Sequence, residues 1–132
     1  LQMRIESFDL LKELHISHSD ASIALGDFNL NSKDDKRESV YKNQEDQWFV
    51  AHREGCQSCK GSYYYGYGKS WDFLDTIFVS RGRGIAFDKD SINVLKTDFN
   101  TYKDSGKPHR FDPKTKKGVS DHFPMVARIN LN

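Results

Sequence analysis

The stretch Leu25-Gly26-Asp27-Phe28-Asn29 decides how this chain is read. It follows the apolar run Ala21-Ser22-Ile23-Ala24-Leu25 and opens into the polar segment Leu30-Asn31-Ser32-Lys33-Asp34-Asp35. Apolar residues that stop at Gly-Asp read as a buried strand ending in a turn. The end of a strand in an α/β sheet is where ligands collect. A carboxylate and a carboxamide two residues apart in extended chain point to the same side. The first can take a proton or bind a cation; the second can donate to and accept from a phosphate or a water. Taken alone, Gly-Asp-x-Asn is equally a strand followed by an Asx-type turn.

Two later stretches sharpen the reading. They are Trp71-Asp72-Phe73-Leu74-Asp75-Thr76-Ile77-Phe78-Val79-Ser80 and Gly118-Val119-Ser120-Asp121-His122-Phe123-Pro124-Met125. With Gly26-Asp27-Phe28-Asn29, and in this order, they resemble the endonuclease/exonuclease/phosphatase superfamily of DNase I-like enzymes. That group includes nucleases, sphingomyelinases and inositol polyphosphate 5-phosphatases. The resemblance covers residues 1–132 as the C-terminal half of the family's domain. It implies half of a four-layer α/β/β/α sandwich: one mixed β-sheet with a helix on its outer face, in the α/β (α+β) class. The N-terminal half, with its metal-ligating asparagine and glutamate and a central histidine or tyrosine, is absent from this sequence.

The resemblance also implies roles. Asp27 orients or deprotonates the attacking water, and Asn29 holds the phosphate. Asp121 brings a carboxylate to the metal, with Asp27 and Asn29 beside it, and His122 sits at the scissile phosphate. Asp75 holds the other ring nitrogen of His122. The implied cofactor is Mg²⁺ (or Mn²⁺ or Ca²⁺), and the implied substrate is nucleic acid or another phosphodiester. A nuclease is the favoured branch, because tyrosines and a basic loop suit a polymer. Sphingomyelinase-like and phosphoinositide-phosphatase-like branches share the same residues, and a noncatalytic binding module is the rival from another class.

The need for a partner at Asp75 can be argued without the family. Strand alternation puts it with Phe73, Ile77 and Val79, the core-facing set. A carboxylate on that face needs a partner, because burying a polar group unpaired costs about 2–7 kcal/mol, and His122 is the candidate that the resemblance supplies. No Gly-x-Ser-x-Gly elbow is present, so Ser120 reads as a turn residue and not as a nucleophile.

Bulk properties set the bounds. The chain has 132 residues, enough for one domain. It is 36% hydrophobic with a net charge of +1. That balance argues against gross adhesion to nucleic acid or membrane and leaves room for local patches. A mean hydropathy of -0.76 predicts much loop. No apolar run approaches the roughly 20 residues of a membrane span. Cys56-Gln57-Ser58-Cys59 is too small a set for a zinc site, and reads either as a local disulfide, which would point to an exported protein, or as free loop thiols.

Along the chain, Ile5, Phe8, Leu11 and Leu14 predict an amphipathic helix over 4–14. Strands are predicted at 22–25, 73–80, 92–97 and 123–129, with a short helix near 36–42 and either a strand or a helix end at 47–50. Residues 55–68 read as a tyrosine-rich loop or hairpin. Tyr63, Tyr64, Tyr65 and Tyr67 suit hairpin packing or base stacking. Lys103, Lys107, His109, Arg110, Lys114, Lys116 and Lys117 form a basic loop that either grips a polyanion or is simply solvated. His15, His18, His52 and His109 read as surface residues. A lone half-unit would leave one sheet face bare, so a missing N-terminal half or a second copy is expected to cover it.

Overall fold

The strand Asp75–Ser80 (β5) lies at the centre of the molecule, because both of its faces and both of its edges are used. The computed structural model describes all 132 residues. In order, α1 (Gln2–Ile16), β1 (Ile23–Asp27), α2 (Ser32–Glu38), a 3₁₀ turn (Lys42–Gln44), β2 (Trp48–Val50) and α3 (Ala51–Glu54) come first. They are followed by β3 (Tyr63–Tyr65), β4 (Ser70–Asp72), β5, β6 (Ile85–Val94) and β7 (Met125–Leu131). The class is mixed α/β. No helix is long and apolar enough to cross a membrane.

The strands form three small sheets, β1-β5-β2, β3-β4 and β6-β7, and every strand pair is antiparallel. This corrects the expectation of one mixed sheet. β1 and β2 already occupy both edges of β5, so β6 cannot join by hydrogen bonds. It packs on the face of β5 instead. β6 also starts seven residues earlier than its predicted strand, at Ile85. The polar run Asp88-Lys89-Asp90 hid the join, because the β6–β7 register breaks between Asp88 and Asn93. There the Ser91 hydroxyl accepts from the Arg128 N–H at 2.7 Å in place of a ladder carbonyl.

Two cores flank β5. On one side Phe78 packs with Phe8, Leu30, Val40, Tyr41, Trp48 and Val50 under α1. On the other, Ile77 and Val79 pack with Ile85, Phe87, Ile92 and Val94 of β6 and with Phe123. The helix face is rotated from its predicted position: Leu14 is exposed and His15 is buried against Trp48, ring centroids 4.1 Å apart. At about 100° per residue, position 15 lies about 20° from Phe8 and position 14 about 120° away. His15 is therefore a core residue, not a surface one. His52 is half-buried, with its ring against Phe73 and Tyr41.

Cross-strand partners share a sheet face. Ile23 pairs with Val79 and Leu25 with Ile77, so both lie on the β6 side. The β6–β7 pair covers β5 but stops short of β1, where Ile23 is 50% and Leu25 71% exposed. The sheet face is thus partly covered from within the chain. Cys56 and Cys59 form a disulfide, Cα–Cα 5.1 Å, beside the second core.

Candidate functional site

Three distant segments meet at the open end of β1 and β5. Antiparallel register sets Asp27, the last residue of β1, directly opposite Asp75, the first of β5. The Phe28 N–H donates to the Leu74 carbonyl at 2.8 Å and extends that pairing one residue further. His122 arrives from the C-terminal segment, and its Nδ1 lies 2.6 Å from Asp75 Oδ2. Ligand-type atoms of Asp27, Asp75 and His122 all lie within 4.8 Å of one another. Strand alternation calls for a partner at Asp75, and His122, the partner that the resemblance implies, is the one it has.

A fully buried serine ties these segments together. Ser62 donates its N–H to the Asp72 carbonyl at 2.9 Å and accepts from Phe123 N–H at 2.7 Å. Its hydroxyl oxygen accepts from Asp75 N–H at 3.1 Å. One residue thus fixes both halves of the Asp75–His122 pair. Next to it, Tyr63 bridges to His122, and the two rings lie 4.9 Å apart. Sequence reading missed Ser62, since a lone serine beside a glycine carries no signal of its own.

The turn that delivers His122 depends on Gly118. Its φ is +80°, and a Cβ there would lie 2.2 Å from the Arg110 carbonyl oxygen. Val119 N–H donates to the His109 carbonyl at 2.8 Å, stitching the turn to the basic segment. Ser120 accepts from His122 N–H through its hydroxyl at 3.1 Å, which is the turn role read for it.

Asp27 does two things at once. Its Oδ1 accepts from the Asn29 N–H at 2.8 Å, forming the Asx-type turn. Its other oxygen has no hydrogen-bond partner. Asn29 is in the left-handed region at φ 51°, so the extended-chain argument for its direction fails. The turn nonetheless leaves it in the same groove. Arg4 of α1 donates to its carbonyl at 2.5 Å and holds the turn against the helix.

Asp27, Asn29, Asp121 and His122 line one open groove of ≈ 840 Å³, along with Lys33, Tyr63 and Tyr65. On its wall, buried Asp72 accepts from both the N–H and the hydroxyl of Ser32, at 2.9 and 2.7 Å, and so fixes the start of α2. Asn31 caps that helix by accepting from Asp34 N–H at 2.8 Å. Lys33 is the groove's one lysine or arginine. None of the lysines of the basic segment lines it. Lys107 instead sits 4.0 Å above the Tyr64 ring on the far side of the hairpin. That segment is not an open loop either: bridges Thr101–Pro108 and Asp112–Lys117 fold it into two tight turns, and Tyr102 stacks on His109 at 4.0 Å. Trp71 packs under the site, stacked on Phe123.

No family model, no curated protein and no solved structure matches the chain.

Proposed function

We propose that this chain carries the water-activating and phosphate-binding part of a metal-dependent phosphodiesterase, most specifically a nuclease, built as half of a DNase I-like sandwich. The observation that carries the reading is the convergence of Asp27, Asp75 and His122 from three separated segments, with Asp27 and His122 lining one groove and Asp75 bonded to His122.

The donor set suits a hard divalent cation such as Mg²⁺. Asp27, Asn29 and Asp121 offer only oxygen, and the groove is open enough for the waters Mg²⁺ keeps. Two carboxylates directly opposite in a ladder repel. Asp75 is answered by His122, while the free oxygen of Asp27 has no positive partner. A bound cation would supply charge neutralisation at the phosphoryl oxygens. The protein's own groups divide the remaining work. The free oxygen of Asp27 accepts the proton of the attacking water. Asn29 donates its carboxamide N–H to the phosphate. His122, its Nδ1–H given to Asp75 and its ring thereby fixed, presents Nε2 to the scissile group.

Three protein oxygens are a sparse cation site, so further ligands from an N-terminal half or a second copy belong to this reading. The same element would cover Ile23 and Leu25. The test is twofold. Calorimetric titration with Mg²⁺ is expected to show binding that Asp27→Ala removes. Plasmid nicking, where it occurs, is expected to stop with EDTA and to fall at least a hundredfold with His122→Ala. Nicking that survives EDTA, or both substitutions, overturns the proposal.

A further inference from the structure

The groove at Asp27 and His122 continues along one face of the β3–β4 hairpin. Side chains alternate across a strand, so Tyr63 and Tyr65 face the groove while Tyr64 turns away onto Trp71. Tyr63 is occupied by His122. Tyr65 is 46% exposed, and Tyr67, at the hairpin turn, is 96% exposed with its ring 6.0 Å from that of Tyr65. Hairpin packing accounts for Tyr63 and Tyr64. It does not account for Tyr67, which buries almost nothing. Gly68 lies flat against Tyr65: a Cβ there would come within 2.8 Å of the ring. Lys33 stands in the same groove, and Lys69 follows Gly68 in the turn.

Aromatic faces leading away from a phosphate site, with cations alongside, are the pattern that holds single-stranded nucleic acid. Bases stack on the rings, and lysine follows the backbone. A membrane-inserting tip would carry tryptophan, phenylalanine or leucine; here the tip reads Gly66-Tyr67-Gly68-Lys69-Ser70. We infer that Tyr65 and Tyr67 form a base-stacking platform for single-stranded nucleic acid, with the backbone passing Lys33. Its placement next to a scissile phosphate rests on the phosphodiesterase reading.

The experiment is fluorescence anisotropy of labelled oligo-dT with the full chain in EDTA. Single strand is expected to bind more tightly than duplex of equal length. Tyr65→Ala and Tyr67→Ala are each expected to weaken binding about tenfold. Tyr67→Phe keeps the ring and is expected to retain binding, and Tyr64→Phe, on the other face, is expected to leave it unchanged. Far-UV circular dichroism confirms that each variant is folded. Equal binding of single strand and duplex, with both alanine variants unaffected, overturns the inference. So does a Tyr67→Ala variant that loses phosphatidylserine vesicles and keeps oligo-dT. EDTA separates binding from turnover. Tyrosine-dependent binding by a chain whose Mg²⁺ titration shows no Asp27-dependent site removes the hydrolytic reading and leaves the platform. Tyrosine-independent binding alongside nicking removes the platform alone.

Discussion

At the residue scale the site is a conflict of charge resolved on one side only. Asp27 and Asp75 face each other across the β1–β5 ladder, where like charges repel. His122 answers Asp75 at 2.6 Å in a half-buried setting. Hydrogen bonds to charged groups contribute about 1.5–3 kcal/mol. Asp75→Ala is therefore expected to lower unfolding stability by about 2 kcal/mol, read as a urea midpoint shift at constant slope. An unchanged midpoint would mean that the pair contributes nothing to the fold. Asp27→Asn keeps the Oδ1 acceptor for the Asn29 N–H and removes the charge opposite Asp75. It is expected to leave the metal-free protein as stable, or up to about 1 kcal/mol more stable. It should also abolish any rise in melting temperature on adding Mg²⁺, since only a ligand that binds the folded state raises it. A magnesium-induced rise that persists in this variant would place the cation elsewhere.

At the element scale, the turn before His122 and the serine behind it do the positioning. Gly118 holds a left-handed conformation and touches the Arg110 carbonyl, so Gly118→Ala meets both a backbone penalty and a clash. Left-handed strain in a non-glycine residue costs about 1–3 kcal/mol, before any steric term. A loss of at least 2 kcal/mol in denaturant unfolding is expected, together with a displaced His122 resonance in the NMR spectrum. A variant as stable as the parent would show that the turn relaxes freely. These elements also show what could be read from sequence and why the rest could not. The β5 strand was legible because its alternation is regular and flanked by turn residues. The need for a partner at Asp75 followed from the chemistry of a carboxylate on a core face, and the resemblance pointed to His122 as that partner. The first half of β6 was missed because a bulge interrupts its alternation with three polar residues. His15 was misplaced because leucine at position 14 looked like the better core residue, and only the geometry of Trp48 shows which side of α1 is covered. Ser62 acts through its main chain and a buried hydroxyl, neither of which a one-residue pattern reveals.

At the scale of the whole molecule, the two cores meet through α3, and His52 sits where they meet. Its ring stacks on Phe73 at 5.0 Å, meets Tyr41 edge-on at 4.6 Å, and shares a hydrogen bond with the Thr76 hydroxyl at 2.8 Å. Burial, helped by the neighbouring Arg53 charge, pushes its pKa down from 6.5 to about 4. His15 is shifted in the same direction, chiefly by burial. A histidine with a depressed folded pKa binds fewer protons in the folded state than in the unfolded chain. Its neutral form is favoured above pH 6.5, and stability falls as the pH drops from there through about 4. For His52 alone the gap corresponds to a loss of about 2 kcal/mol by pH 5 and about 3 kcal/mol by pH 4. Asp46 and Asp112, whose carboxyls are held low by hydrogen bonds from Lys12 and from the Lys114 N–H respectively, lose their stabilisation only at lower pH. Urea unfolding measured across this range should therefore show a slope that begins near pH 6.5, above the carboxylate region. His52→Gln keeps a hydrogen-bonding group for Thr76 and cannot ionise, so it is expected to flatten most of that slope while lowering stability at pH 7.5. A variant that keeps the full slope would move the titrating group to His15, which His15→Gln would then identify.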